Sequence, residues 1–286
     1  MNISTLKGTV YGAACGDALG VPYEFKKRGS FTCDTEMVGY GTHNQSAGTW
    51  SDDTSMMIAM CDSIREIKSV DVDDISNKFR EWLYKGKYAC GGVVFDVGVT
   101  TYRAISSGEG GNNERDNGNG SLMRIAPLAY IDWDSETISN VSAITHAHQI
   151  SKDVCIEYVH LLRDFIDGVT TRDMLAEMFP ELANAETDQI HSGGFVKDTM
   201  TAALWCFITT TSYIDCVIKA VNLGDDTDTT AAVAGALAGT YYGYDSIPDF
   251  WIDALRDKDV IDSCLFDSTM SQRPCNCGKD CCCGDH

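Results

Sequence analysis

Two short runs of oxygen-bearing side chains constrain this chain more than any other feature: Gly48-Thr49-Trp50-Ser51-Asp52-Asp53-Thr54 and Gly224-Asp225-Asp226-Thr227-Asp228-Thr229. Small and apolar residues follow each directly, Ser55 to Ala59 after the first and Thr230 to Gly239 after the second. Asp, Ser or Thr ahead of good packers is the pattern of a loop opening into a helix. Taken singly, each run reads equally well as acids that cap a helix and complement its positive end. Brought tip to tip, however, Asp52, Asp53, Asp226 and Asp228 would repel one another, and burying them unpaired would cost several kcal/mol per charge. One or two cations between the runs remove that cost. Oxygen ligands select a hard ion, Mg or Mn first and Ca next; Zn is disfavoured because neither run contains Cys or His.

The rest of the chain reads as helical. Apolar residues recur at three-to-four spacing over 55–67, 72–85, 153–167, 171–179, 196–209, 214–221 and 248–258, and no stretch alternates as a strand would. Residues 5 to 20 form a further helix whose small residues Gly12, Ala13, Ala14, Gly16 and Ala18 admit a close neighbour. The run from Ala231 to Gly239 reads as a deeply buried helix, because it is small and apolar on every side. The expected fold is therefore all-α, a single compact multi-helix domain with a dinuclear metal site between helix N-termini.

Several residues lie in loops where they could meet that site. Gly20-Val21-Pro22 ends the first helix and leaves Glu24 between Tyr23 and Phe25, either partly desolvated or an ordinary solvated acid. His43, in a Gly-rich loop, is expected to be exposed. Asp96 either faces the site or caps the following helix. The Gly- and Asn-rich stretch 106–120 leads into a helix expected from Ser121, whose free N–H groups would suit an anion. Arg124 adds charge there or pairs with an acid. On a helix over 138–150, His146 and His148 would point to different faces. Tyr241, Tyr242 and Tyr244 are packing residues or a platform for a stacked base.

Composition narrows the function. With 286 residues, 44% of them hydrophobic, the chain can bury one large core. A net charge of −20 disfavours contact with nucleic-acid backbone or an anionic membrane. No apolar run approaches the roughly 20 residues of a spanning helix, and the N-terminus lacks a signal-peptide pattern, so a cytoplasmic protein is expected. Of the thirteen cysteines, those scattered from Cys15 to Cys264 read as buried thiols. The others crowd 275–283 without the repeats of a zinc module. The division expected is a helical domain over 1–262 and a Cys-rich extension over 263–286.

Four motifs in order, Gly16-Asp17-Ala18-Leu19-Gly20-Val21-Pro22-Tyr23-Glu24, Ser51-Asp52-Asp53-Thr54, Asn117-Gly118-Asn119-Gly120-Ser121-Leu122-Met123-Arg124 and Asp226-Thr227-Asp228-Thr229, resemble the signatures of the ADP-ribosylglycohydrolase family. The segment Phe95 to Thr101 resembles another, but with Val99 where Asn is usual. The resemblance implies a compact helical hydrolase that uses two divalent cations, Mg or Mn, held by Ser51, Asp52, Asp53, Asp226, Asp228 and Thr229. It further implies substrate contacts from Glu24, Asp96, Asn119, Gly120, Ser121 and His146, with Glu24 or Asp53 handling the proton. The expected activity is release of ADP-ribose from a modified protein or small substrate, arginine being the leading acceptor. Other ADP-ribose linkages (serine, 1''-phosphate, nucleobase) and a non-catalytic ADP-ribose binder are the alternatives.

Overall fold

The computed structural model describes residues 3–131 and 134–267. Thirteen α-helices occur among them: Ile3–Gly20 (α1), Asp52–Ile67 (α2), Val72–Lys85 (α3), Val99–Ser107 (α4), Ser135–Ala143 (α5), Gln149–Ile166 (α6), Arg172–Met178 (α7), Pro180–Ala183 (α8), Val196–Ile208 (α9), Tyr213–Val221 (α10), Thr227–Tyr242 (α11), Asp249–Ala254 (α12) and Lys258–Cys264 (α13). Short 3-10 turns join several of them. No strand is present among the described residues, only isolated bridges such as Gly118 with Phe195. None of these helices is long and apolar enough to cross a membrane.

The centre of the molecule is the antiparallel pair α1 and α11. Glycines four residues apart on α1 share one face, and each meets backbone of α11. A β-carbon added at Gly12 would lie 2.4 Å from the Gly235 carbonyl oxygen, one at Gly16 2.1 Å from that of Ala231, and one at Gly20 2.4 Å from the Asp228 Cα. These approaches leave no space for any side chain, so the close neighbour expected for α1 is α11. Helices α9 and α10 pack on α11, and α2 lies against α1 and α3. Buried tyrosines fasten the pair, Tyr213 Oη donating to Gly12 O at 2.8 Å and Tyr158 Oη to Val233 O at 2.8 Å.

The antiparallel arrangement positions the site. It sets the C-terminal end of α1, with Glu24 just beyond, beside the N-terminal end of α11, which carries Asp226 and Asp228. Thr227 Oγ1 donates to Gly20 O at 2.8 Å and fixes that junction. The start of α2 arrives at the same place because Asp17, inside α1, accepts from Ser51 N at 2.9 Å and from Thr54 Oγ1 at 2.6 Å.

Elsewhere the structure redraws local expectations. No α-helix starts at Ser121; two 3-10 turns, Leu122–Arg124 and Ala126–Tyr130, stand there, the second with Pro127 near its start. The helix expected over 138–150 is broken between α5 and α6, so His146 sits in a connecting segment and His148 caps α6. Helix α13 runs through Asp262 to Cys264, and both Cys264 and Phe266 are buried. The eight cysteines from Cys15 to Cys264 are free and buried. The cysteine-rich stretch 275–283 lies outside the described residues.

Candidate active site

Several chain segments converge on one cleft of about 390 Å³. Its walls include Glu24, Phe25, Asp52, Asp96, Asn119 and Thr229. Asp226, Gly120 and His146 also reach it, whereas Asp53 and Asp228 stand behind it, almost wholly buried. The two distant acidic runs do meet: Thr229 Oγ1 donates to Asp53 Oδ2 at 3.3 Å, and Ser51 Oγ donates to the same oxygen at 3.0 Å.

Capping does not account for these acids. Ser51 caps α2 through its hydroxyl, which accepts from Asp53 N at 3.3 Å, and Asp226 makes no side-chain cap at α11. Gly98, not Asp96, occupies the cap position of α4. Asp53 Oδ1, Asp226 Oδ1 and Asp228 Oδ2 are buried with no hydrogen-bond partner. Such orphaned oxygens are rare in a folded interior and costly unless something positive meets them. Among the described residues, the ion pairs of these acids are those of His43, whose Nε2 contacts Glu24 Oε2 and lies 3.8 Å from Asp96 Oδ1.

Carboxylate oxygens able to converge on one point fall into two groups, Asp17 with Asp53 and Asp228, and Glu24 with Asp96, Asp228 and the His43 ring. This donor set fits hard divalent cations. Asp17 is already engaged by Ser51 N, Thr54 N and Thr54 Oγ1, so its part is to hold the start of α2. Charge and burial agree with a cation-binding centre. Burial first, and then neighbouring carboxylates, push Asp52, Asp53 and Asp228 well above the ordinary carboxylate range. Burial also raises Glu24, to about 7, against the opposing hydrogen bond from His43.

The loops that present these groups are held in uncommon backbone conformations. Phe25, Asp96 and Asp225 all have positive φ, 61°, 57° and 59°. Non-glycine residues persist there only when their surroundings determine them, and they cluster at functional sites. Phe25 N donates to Asp225 O at 2.7 Å and Asp225 N to Lys26 O at 2.9 Å, tying the Glu24 loop to the Asp226 loop. Behind both, the Arg28 guanidinium donates to the carbonyls of Leu223, Ile190 and Thr187. Asp226 N in turn donates to Ser192 O at 3.0 Å.

The opposite wall is made of glycines. Gly118 and Gly120 lie against the His146 ring, and a β-carbon at Gly120 would come within 2.8 Å of it. His146 is almost fully buried, bonded through Nδ1 to Thr145 Oγ1 at 2.8 Å, and burial lowers its pKa to about 3, so it is neutral. Asn119 uses its Nδ2 on Asp226 Oδ2 at 2.8 Å and on Thr199 Oγ1 at 2.9 Å, and its N–H on Gly194 O at 3.0 Å. That N–H is therefore committed within the protein.

Other expected contacts fall elsewhere. Ser121 points inward, its hydroxyl bonded to Ser142 and Cys155, and it does not line the cleft. Arg124 is buried without an ion pair among the described residues; it donates to Gly120 O and Val141 O and lies over the Phe79 ring. Tyr241 and Tyr242 pack on Phe207, and Tyr244 on Tyr11, away from the cleft. Val99 does line it, largely exposed. Sequence reading missed Asp17 and His43. A lone carboxylate inside a small, apolar helix was a signal for Asp17, since such groups are seldom buried unpaired; His43 carried none.

Fold and cleft together define an all-α domain built around a buried polycarboxylate centre. The sequence pattern of the ADP-ribosylglycohydrolases matches residues 2–276. An ADP-ribosylarginine hydrolase of Pseudomonas putida is 33% identical over 274 residues, covering 86% of this chain and 73% of that protein. The ADP-ribosyl-[dinitrogen reductase] glycohydrolase of Rhodospirillum rubrum is 32% identical, covering 88% and 90%. A solved chain described as an ADP-ribosylglycohydrolase-related protein complex superposes with a TM-score of 0.77 at 29% identity, over 94% of this chain and 99% of that one. This chain belongs to the ADP-ribosylglycohydrolase family and is a hydrolase of that family.

Proposed function

We propose that the protein releases ADP-ribose from ADP-ribosylated arginine side chains by hydrolysing the bond between the anomeric ribose carbon and the guanidine nitrogen. The observation that carries this reading is the set of orphaned oxygens on Asp53, Asp226 and Asp228 beside Glu24, which reaches the cleft and stays protonatable near neutral pH. The names of two similar proteins, the ADP-ribosylarginine hydrolases of Pseudomonas putida and Serratia proteamaculans, support arginine as the acceptor.

Ser51, Asp52, Asp53, Asp226, Asp228 and Thr229 are the residues that would hold Mg or Mn. Bound there, such cations supply Lewis-acid polarisation of ribose hydroxyls and water. The remaining steps belong to the chain. The neutral Glu24 carboxyl gives its proton to the leaving nitrogen as the glycosidic bond breaks. Its carboxylate then takes a proton from the water whose oxygen bonds to the anomeric carbon, so one water is consumed and ADP-ribose and free guanidine are formed. Positive charge developing on the ribose faces Asp52 and Asp96. Asp53, behind the cleft wall, serves as a ligand and leaves proton transfer to Glu24. Gly118, Gly120 and the neutral His146 form the wall against which the rest of ADP-ribose would lie.

The test is turnover of ADP-ribosyl-arginine with Mg or Mn, compared with Asp226→Asn and with chelator. Both should lower the rate at least about 100-fold, the scale of removing one electrostatic partner of a transition state. Full activity in chelator, or equal turnover by Asp226→Asn, would overturn the proposal. Serine-linked ADP-ribose, ADP-ribose 1''-phosphate and nucleobase glycosides in the same panel decide the acceptor.

A further inference from the structure

Three consecutive residues outside the acidic runs all bear on one short turn of the chain. Gly41, with φ of 57°, lies so close to Pro22 that a β-carbon there would be 2.1 Å from the Pro22 carbonyl oxygen. Thr42 Oγ1 donates to the Glu24 carbonyl oxygen at 2.6 Å. His43 Nε2 hydrogen-bonds to Glu24 Oε2. The imidazole is itself held between two rings, 6.0 Å from Phe25 and 5.3 Å from Phe95 by centroids. The turn that presents it is closed by Tyr40 N donating to Gln45 O, with Tyr40 and Asn44 both at positive φ.

We propose that Gly41-Thr42-His43 is a clamp that positions Glu24, with His43 the positioning residue for the carboxyl that carries the proton. The inference rests on the reading of Glu24 given above. Glu24 lies among Asp96, Asp226 and Asp228, which repel its charged form. A buried carboxyl with only like charges for company has no defined direction. A hydrogen bond with His43 Nε2 holds one of its oxygens, and Thr42 fixes the backbone from which it springs. A glutamate whose carboxyl is displaced by about 1 Å would lose on the order of 100-fold in rate while the rest of the cleft stays intact.

The experiment compares His43→Ala, His43→Gln, Thr42→Val, Glu24→Gln and the double variant Glu24→Gln/His43→Ala on ADP-ribosyl-arginine, with ADP-ribose affinity measured by calorimetry. The glutamine variant places a nitrogen donor close to where Nε2 stands. His43→Ala should lower kcat by about 10- to 100-fold with KM and ADP-ribose affinity within about threefold. His43→Gln should recover most of that loss. In the Glu24→Gln background His43→Ala should add nothing further, because the two act as a unit. Equal additive losses in both backgrounds, or a kcat within about twofold of wild type in His43→Ala, would overturn the clamp. If wild-type protein turned over no ADP-ribosylated substrate, the catalytic reading would fail on its own. A crystal structure of His43→Ala then decides: a Glu24 side chain displaced or spread over rotamers supports the clamp, and one left in place refutes it.

Discussion

Gly16 and Ala231 touch so closely that a single methyl group cannot be placed between them: a β-carbon on Gly16 would stand 2.1 Å from the Ala231 carbonyl oxygen. The obstacle is helix backbone, which cannot swing aside as a side-chain tip would. Gly16→Ala should therefore cost about 1–3 kcal/mol, the usual range for an overpacked core, and lower kcat/KM as well, because α1 and α11 bring Asp17 and Asp228 to the site. Urea unfolding with a parallel activity assay measures both. A variant as stable as wild type would mean that the helices separate more easily than their packing implies.

Asp17 presents a different dependence. Its carboxylate accepts from Ser51 N, Thr54 N and Thr54 Oγ1 and so sets the first turn of α2, with Asp52 and Asp53 on it. Asp17→Asn replaces one accepting oxygen by an NH₂ group that can only donate, and leaves either amide or hydroxyl hydrogens facing it. Affinity for Mn, followed by calorimetry, should fall about 10- to 100-fold, as when groups supporting metal ligands are altered. Unchanged affinity would show that α2 is held without it.

Which parts of this site could be read from the residue order follows from what kind of signal each leaves. Asp52, Asp53, Asp226 and Asp228 announce themselves because their neighbours write a helix start, a local pattern. The helical periods of α2, α3 and α6 were equally legible. By contrast, the contact of His43 with Glu24 joins two loops through a turn at positive φ, and no spacing rule encodes it. The stretch after Ser121 looked like a helix start, yet Pro127 follows and the chain turns twice in 3-10 form instead. His146 is singled out over His148 only by the family resemblance, and the helix expected to carry it is interrupted, since α5 stops at Ala143 and hands it to a connecting segment.

Stability without metal should depend on pH in an unusual direction. Burial is the main force raising Asp52, Asp53, Asp226 and Asp228, with repulsion from neighbouring carboxylates adding to it. In the window between the unfolded pKa of about 4 and these raised values, the folded protein binds more protons than the unfolded chain, so stability falls as pH rises. In chelator, Tm should drop as pH rises above the unfolded carboxylate range of about 4, and Mg or Mn should restore it most at the upper end. Scanning calorimetry across that range checks the sign. A Tm in chelator that stays level or climbs with pH would contradict the arrangement.

Asp62 should act in the opposite sense. Burial alone would raise its carboxyl, but hydrogen bonds from Tyr88 Oη, Arg65 and Lys78 Nζ overcome that and hold it at about 2. Its contribution is present above the unfolded pKa of about 4 and fades as pH falls toward 2. Asp62→Asn should therefore lower Tm at neutral pH and show a shallower decline in acid. An acid limb as steep as that of wild type would assign the loss to other groups.

The pairing of α1 with α11 also dictates when the site comes into being. Gly20 and the Thr227 that bonds to it are 207 residues apart, so the glycine face of α1 stays uncovered during synthesis until α11 has been made. Contacts between such remote segments form slowly, and half-made chains with uncovered helices are prone to associate. No truncated product ending before residue 227 could gather both acidic runs. The buried polycarboxylate centre is therefore among the last features of the fold to be completed.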